Sequence, residues 1–403
     1  MPSDRLQTQL QSQLTELEGE GRRKGAERVI EAVLPATGSR GPRVVIGRRE
    51  FIRMNSNSYL GLSQHPKLIE AEHEAAVRYG VGPGAVRFIS GTLAPHARLE
   101  ERLASFHGRE AAMLFSSAYA AVISTLVPLI TDQTAVISDA LNHNCIINAL
   151  RLARPRAKAV YAHLELQGLD KALTDMRGAE RAIVVTDGIF SMRGAHAPLA
   201  EIASIVAGHD QYFPQNALMV VDDSHGVGAF GVSGRGTEEF TGRRADLLIG
   251  TLGKAFGVNG GYVTGPQTLI DFLRETAPMY IFSNPITPPE ACAALAALDL
   301  LESDWGHERL ARLRSLTERF RGGLRDLGLE TLDGAHPVVP LFLRDTNRTR
   351  QTVARLYEQG ILATGLTFPV VPRGDESIRF QVNADQTEGD IDTVLGALAA
   401  VPA

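Results

Sequence analysis

The sequence predicts an α/β protein with a large, mostly parallel sheet covered by helices on both faces, followed by a smaller α+β unit. Between about Ala111 and Gly265, short apolar runs alternate with helical stretches: Ala112 to Phe115, Ala135 to Ser138, Lys158 to Ala162, Ala182 to Thr186, Ala217 to Val221 and Leu247 to Gly250. That alternation marks parallel strands joined by crossover helices. Polar residues cluster directly after these runs, where the carboxyl ends of such strands converge on a ligand site. The length of 403 residues is two to three times the roughly 100 to 200 of an ordinary domain, enough for one large core with smaller additions.

Along the chain, Leu6, Leu10, Leu14 and Leu17 recur at helical spacing and predict an amphipathic N-terminal helix whose stripe needs a partner surface. A Gly/Pro/Arg-rich stretch, Gly38 to Pro42, separates it from alternating segments around Val44 to Ile52 that read as a hairpin. These pieces make up residues 1–55, and the large domain is expected over 56–288. A proline-rich break at Pro285, Pro288 and Pro289 then opens a long helical stretch, Glu290 to about Leu327. Val338 to Leu343, Val353 to Gln359 and Ser377 to Gln381 follow as strand, helix and strand, which completes a C-terminal region over 289–403. Internal repeats and low-complexity tracts are absent.

An apolar share of 44%, a charged share of 22% and a net charge of -5 leave no basic excess for nucleic acid or an acidic membrane, so small-molecule chemistry is favoured. Cys145 and Cys292 cannot build a disulfide framework, and neither has the spacing of a metal site. The apolar stretch Ile123 to Ile130 is too short to span a bilayer and contains Pro128. A cytoplasmic location is therefore expected, and the sequon Asn347-Arg348-Thr349 is read as chance.

Chemistry is sought at the strand ends. The run Thr251-Leu252-Gly253-Lys254-Ala255-Phe256-Gly257 places one lysine among small residues after Leu247 to Gly250. Shelter there lowers an amine's pKa until the neutral form attacks carbonyls or takes protons; the alternative is a surface lysine in a glycine-rich turn. Ala217 to Val221 ends in Asp222-Asp223-Ser224-His225-Gly226. A buried aspartate can keep a pyridine nitrogen protonated and the histidine can reach the same ring, although Asp-Asp-Ser also caps helices. Gly226 to Gly231 satisfies the pattern GxGxxG, yet four polar residues part it from its strand and no helix start follows, so a dinucleotide site is not expected.

Ala112 to Phe115 runs into Ser116-Ser117-Ala118-Tyr119 and helix-forming residues, a phosphate cradle or a plain serine cap. Thr251 and Ser283 are further hydroxyls able to reach a phosphate. His143 follows another strand, as a structural histidine or as a ring able to stack on a flat cofactor. Arg379 lies inside an apolar strand and wants an anion, either a substrate carboxylate or a protein one.

Taken in order, these pieces resemble the α-oxoamine synthases, pyridoxal-phosphate acyltransferases on the fold-type I aminotransferase scaffold. The likeness runs from Asn57-Ser58-Tyr59-Leu60-Gly61-Leu62 through Val86 to Thr92, Thr186 to Met192, Val221 to His225, Thr251 to Lys254 and Phe368 to Pro372 to Arg379. It implies pyridoxal 5′-phosphate held as a Schiff base on Lys254, Asp222 paired with the pyridine nitrogen, and His225 with Ser191 at the phenolic oxygen. It also implies His143 stacked on the ring, phosphate on the Ser117, Ala118 and Tyr119 backbone and Thr251, and Ser283 of the partner subunit completing that cradle in a homodimer. Asn57 and Arg379 would hold the substrate carboxylate.

The implied reaction joins an amino acid to an acyl thioester after Lys254 removes the Cα proton and the protonated ring stabilises the carbanion. Gly365 to Pro372 and Ile378 to Gln381 look most like glycine C-acetyltransferase, so glycine and a short acyl-CoA are expected. The alternatives are another amino acid, a longer acyl chain or a carrier-protein thioester, and, in a different class, a non-catalytic partner subunit. Against that usual pattern stand Val122 for an asparagine, Asn148-Ala149 for Asp-Gly and Arg193 for an aspartate. The run from Lys254 to Tyr262 is also one residue shorter, as in aminolevulinate and serine palmitoyltransferase-like members.

Overall fold

A computed structural model describes residues 3–20, 22–23 and 27–399. Its N-terminal helix α1 (Asp4–Gly19) buries none of its residues, and Leu6, Leu10 and Leu14 remain 55%, 46% and 39% exposed. Strand β1 (Ala32–Leu34) pairs with the hairpin β2 (Arg43–Ile46) and β3 (Arg49–Arg53). Helices α2 (Pro66–Tyr79) and α3 (Ala94–His107) lead into the main sheet, whose strands are β4 (Ala111–Phe115), β5 (Thr134–Asp139), β6 (Ala157–Tyr161), β7 (Arg181–Asp187), β8 (Ala217–Asp222), β9 (Leu247–Thr251) and β10 (Gly261–Gly265). All six expected strands are present.

Their order is β4-β10-β9-β8-β7-β5-β6, parallel except for β10, which runs antiparallel to both neighbours. Strands β4, β5 and β9 are buried throughout, which is why they read as unbroken apolar runs. Helices α4 (Ala118–Leu129) and α5 (Asn144–Leu152) pack with one of two extensive apolar clusters that include residues of the sheet.

The expected long helix from Glu290 is two helices, Pro288–Leu301 and Asp304–Asp326. Thr287 caps the first in a reciprocal box: Glu290 N–H donates to Thr287 Oγ1 (3.2 Å) and Thr287 N–H to the Glu290 carboxylate (2.7 Å). Pro288 and Pro289 thus open the helix, since N1 needs no N–H. The break falls at Ser303, which is extended and donates its hydroxyl to Leu300 O (2.6 Å).

The C-terminal strands are β11 (Val338–Phe342), β12 (Ile361–Leu362), β13 (Thr364–Leu366) and β14 (Ser377–Gln381). Strand β12 pairs parallel with β3, so the N-terminal hairpin and the C-terminal region share one four-stranded sheet, while β11, β14 and β13 form another. Among the described residues no helix is long and apolar enough to cross a membrane.

Two wholly buried histidines tie stability to pH. His107 at the end of α3 pairs through Nε2 with Tyr262 OH (2.8 Å), and His336 pairs through Nε2 with His225 O (2.9 Å). Burial lowers both pKa values from 6.5 to about 3. Between those values the unfolded chain binds protons that the native state refuses, so this contribution is complete above pH 6.5 and shrinks as pH falls towards 3. Replacing His107 by glutamine is expected to reduce the stability lost between pH 6.5 and 5 by about 2 kcal/mol. Urea unfolding at the two pH values checks it, and equal losses in variant and parent would refute it.

Candidate active site

The carboxyl ends of the sheet open onto a cavity of about 260 Å³. Ala118, Tyr119, His143, Ser191, Asp222, His225, Thr251 and Lys254 line it, so eight of the residues singled out in the sequence meet there. Ser117, Asn57, Arg379 and Ser283 are not on its wall. Arg379 is nonetheless close enough to act electrostatically on both Lys254 and His225.

Strand β4 delivers the chain to Ser117, the extended N-cap of α4. Ala120 N–H donates to Ser117 Oγ (3.1 Å) and Ala121 N–H to Ser117 O (3.0 Å). Helical geometry leaves the amides of Ala118 and Tyr119 without intrahelical acceptors, beside the cavity their residues line. A Cβ on Gly261 of β10 would stand 2.2 Å from Ala118 N, so only glycine lets that strand pass under the helix terminus. Thr251 closes β9, where its hydroxyl donates to Gly260 O (3.1 Å) and accepts from Gly253 N–H (3.1 Å).

Asp222 closes β8. Its carboxylate accepts from Ser224 N–H (3.1 Å) and Ser224 Oγ–H (2.5 Å), with Cys145 Sγ at 3.5 Å on the other oxygen. Lys254 follows β9; burial lowers its pKa from 10.5 while Asp222 and Asp187 oppose the shift. Asp223 points away, accepting from Thr237 N–H (2.6 Å) and Thr237 Oγ1–H (2.7 Å), and burial raises its pKa to about 7. The glycines Gly226 to Gly231 form turns and no helix begins until Thr237, which leaves no dinucleotide cradle there.

Of the four wall residues given no role from sequence, Asp187, Cys145, Ile189 and Ser224, the first two carry titratable groups. Asp187 ends β7; its Oδ2 accepts from His143 N–H (3.0 Å), its Oδ1 is buried without a partner, and burial with Asp222 nearby raises its pKa well above the usual range. An acid at a parallel strand's carboxyl end was the available signal. Cys145 lies with Sγ 2.9 Å from His143 Nδ1, and burial pushes its thiol pKa up, which keeps it S–H. Burial lowers the pKa of His143, the N-cap of α5, against the pull of Asp222.

Arg379 Nη1 donates to Ser191 O (3.1 Å), its Nε is buried without a partner, and among the described residues no carboxylate pairs with it. With the Gln381 amide oriented to satisfy its neighbours, the Gln381 oxygen accepts from Arg379 Nη2 (3.2 Å) and its nitrogen donates to Asn55 O (3.1 Å), with the Asn57 side chain alongside. This half-buried cation without a carboxylate partner among the described residues is a ready site for a carboxylate. Beyond His143 and Ser191 a second cavity of about 280 Å³ extends along Phe190, Met192, Phe342, Val370 and Val371. Arg193 stands on its wall, paired with Asp375 (2.8 Å). Val122 is wholly buried in the core, and Asn148 joins Tyr119 and Asn144 in a polar cluster.

An anion cradle at a helix terminus, a sheltered lysine, an aspartate ringed by donors and a second buried acid with a free oxygen suit a phosphorylated, amine-reactive pyridine. Fold and site define a fold-type I pyridoxal-phosphate enzyme. The family model described as aminotransferase class I and II matches residues 49–398. The 8-amino-7-oxononanoate synthase of Geobacter sulfurreducens is 40% identical over 94% of this chain and 95% of its own. That of Thermosipho melanesiensis is 38% identical over 88% and 89%. A solved serine palmitoyltransferase from S. paucimobilis with a bound PLP–myriocin adduct superposes with a TM-score of 0.88 at 27% identity, covering 97% of this chain and 96% of that one.

The chain belongs to the α-oxoamine synthase family, the pyridoxal-phosphate acyltransferases of this fold. The expected closeness to glycine C-acetyltransferase is not supported by these relatives, whose names favour the alternative of another amino acid and a longer acyl chain.

Proposed function

We propose that this chain joins alanine, rather than glycine, to an acyl thioester longer than acetyl, with loss of the amino acid's carboxylate. The carrying observation is nearly full-length identity of 38 to 40% to enzymes named for 8-amino-7-oxononanoate. That product's skeleton is the aminoethyl remnant of decarboxylated alanine attached to a seven-carbon dicarboxylic acyl unit. The apolar walls of the second cavity suit a polymethylene chain, of which an acetyl group would use little.

In this reading the cofactor supplies an aldehyde carbon open to amines and a ring that draws electrons from the bonds at Cα. Lys254 holds it between substrates and, once released, takes the Cα proton as a neutral amine, which its lowered pKa favours. Asp222 would pair with the ring nitrogen, His143 would stack on the ring, and His225 with Ser191 would hold the ring oxygen. The terminal amides of α4, with Thr251 and Ser283 of the partner subunit in a cytoplasmic homodimer, hold the phosphate. Arg379 and Asn57 take the amino-acid carboxylate.

The test is to titrate the purified holoenzyme with alanine, glycine and serine while following the bound cofactor's visible absorbance, then to add pimeloyl-CoA or acetyl-CoA. Alanine with pimeloyl-CoA is expected to release CoA and carbon dioxide together. Turnover of glycine with acetyl-CoA, and none with alanine, would sink this assignment.

A further inference from the structure

We propose that Tyr59 is a positioning residue that holds His225 as the neutral tautomer protonated on Nε2, so that the imidazole presents a hydrogen-bond donor to the Lys254 cavity. Tyr59 is fully buried, and its hydroxyl lies 2.7 Å from His225 Nδ1. Two arrangements satisfy that distance. Either the phenol donates to a bare Nδ1, or an Nδ1–H donates to the phenol oxygen and the phenolic hydrogen needs another acceptor.

The surroundings decide between them. Arg379 and Gln381 are the other polar groups acting on the phenol. Arginine has no acceptor. In the orientation that suits its neighbours the Gln381 oxygen accepts from Arg379 Nη2 (3.2 Å) and its nitrogen donates to Asn55 O (3.1 Å). Among the described residues, Nδ1 is the acceptor left for the phenolic hydrogen. A single proton then remains for the ring, on Nε2, because burial, with Lys254 and Arg379 nearby, keeps His225 neutral.

Two further observations fit a tyrosine placed for this purpose. The backbone of Tyr59 has φ of 28°, a left-handed conformation costly for a bulky residue and tolerated where surrounding structure imposes it. His336 secures the other side of His225: Val338 N–H donates to His336 Nδ1 (3.1 Å), which leaves His336 Nε2–H to donate to His225 O (2.9 Å). The ring is thus oriented by Tyr59 and the backbone by His336, and the Nε2 edge has no partner among the described residues. That Nε2–H meets the cofactor's ring oxygen rests on the reading proposed above; the tautomer does not.

The direct measurement is nitrogen-15 NMR of the histidine-labelled holoenzyme, with the His225 signals identified by their absence from H225Q. The expected spectrum has a protonated Nε2 and a bare Nδ1, and a protonated Nδ1 in the parent protein would overturn the proposal without any appeal to a variant. In Y59F the bare Nδ1 signal is expected to give way to a mixture of tautomers. The pH midpoint of the cofactor's visible absorbance should rise by roughly one unit, because a donor to the ring oxygen weakens the neighbouring base. A Y59F protein that keeps the parent tautomer would also refute the role of Tyr59. A changed tautomer with an unmoved midpoint would uphold that role and refute instead the placing of His225 at the ring oxygen.

Discussion

Alanine in place of Lys254 is expected to lower kcat/KM by at least about 1,000-fold and to abolish the yellow colour of the purified protein. The size of the effect follows from the two uses proposed for one amine. Lys254 stands alone among the cavity's residues as a primary amine, and burial has brought its pKa below 10.5 despite the two nearby carboxylates. His143 and His225, the other bases on the wall, are both pushed towards neutrality, but neither can bond covalently to an aldehyde as an amine does. Added methylamine should restore a small part of the proton transfer, since it supplies a base without the tether. Borohydride reduction of the parent protein followed by peptide mass analysis locates the attachment. A cofactor mass on any lysine other than 254, or full activity in K254A, would refute the assignment.

Much of this was legible in the sequence because parallel strands buried on both faces leave unbroken apolar runs, and the residues after them fall at one edge of the sheet. Strand β10 was not. Its Gly-Tyr-Val-Thr-Gly sequence lacks the apolar run because Gly261 must pass Ala118 N and a Cβ on Gly265 would meet Leu247. The pairing of β12 with β3 was equally hidden: two residues joined across some three hundred positions make no local pattern. The helix break at Ser303 depends on one extended residue between two strong helical segments. At the site, Lys254, Asp222 and His225 could be named from the strand ends that carry them. Asp187 and Cys145 could not be given roles, since a free carboxylate oxygen and a thiol between His143 and Asp222 exist only once β7, β8 and α5 are brought together.

Asn at position 222 is the second substitution expected to have a large effect, a fall in kcat of about 100- to 1,000-fold with the cofactor still bound. Three donors surround the Asp222 carboxylate: Ser224 N–H and Ser224 Oγ–H on one oxygen and Cys145 S–H on the other. An asparagine oxygen can keep the Ser224 pair, so the fold has little reason to fail. Its amide nitrogen then replaces the oxygen beside Cys145 and offers hydrogens where a protonated ring nitrogen needs an acceptor. On the proposed reading the ring would be left neutral and its capacity to take up charge from Cα would fall, while phosphate binding at α4 and carboxylate binding at Arg379 would be untouched. Exchange of the alanine Cα hydrogen for deuterium, followed by proton NMR without any acyl donor, isolates that step. D222N should retain its alanine affinity and exchange at a small fraction of the parent rate. Parental exchange in D222N would show that Asp222 does not govern the ring, and Asp187, the other buried acid on the wall, would become the residue to test.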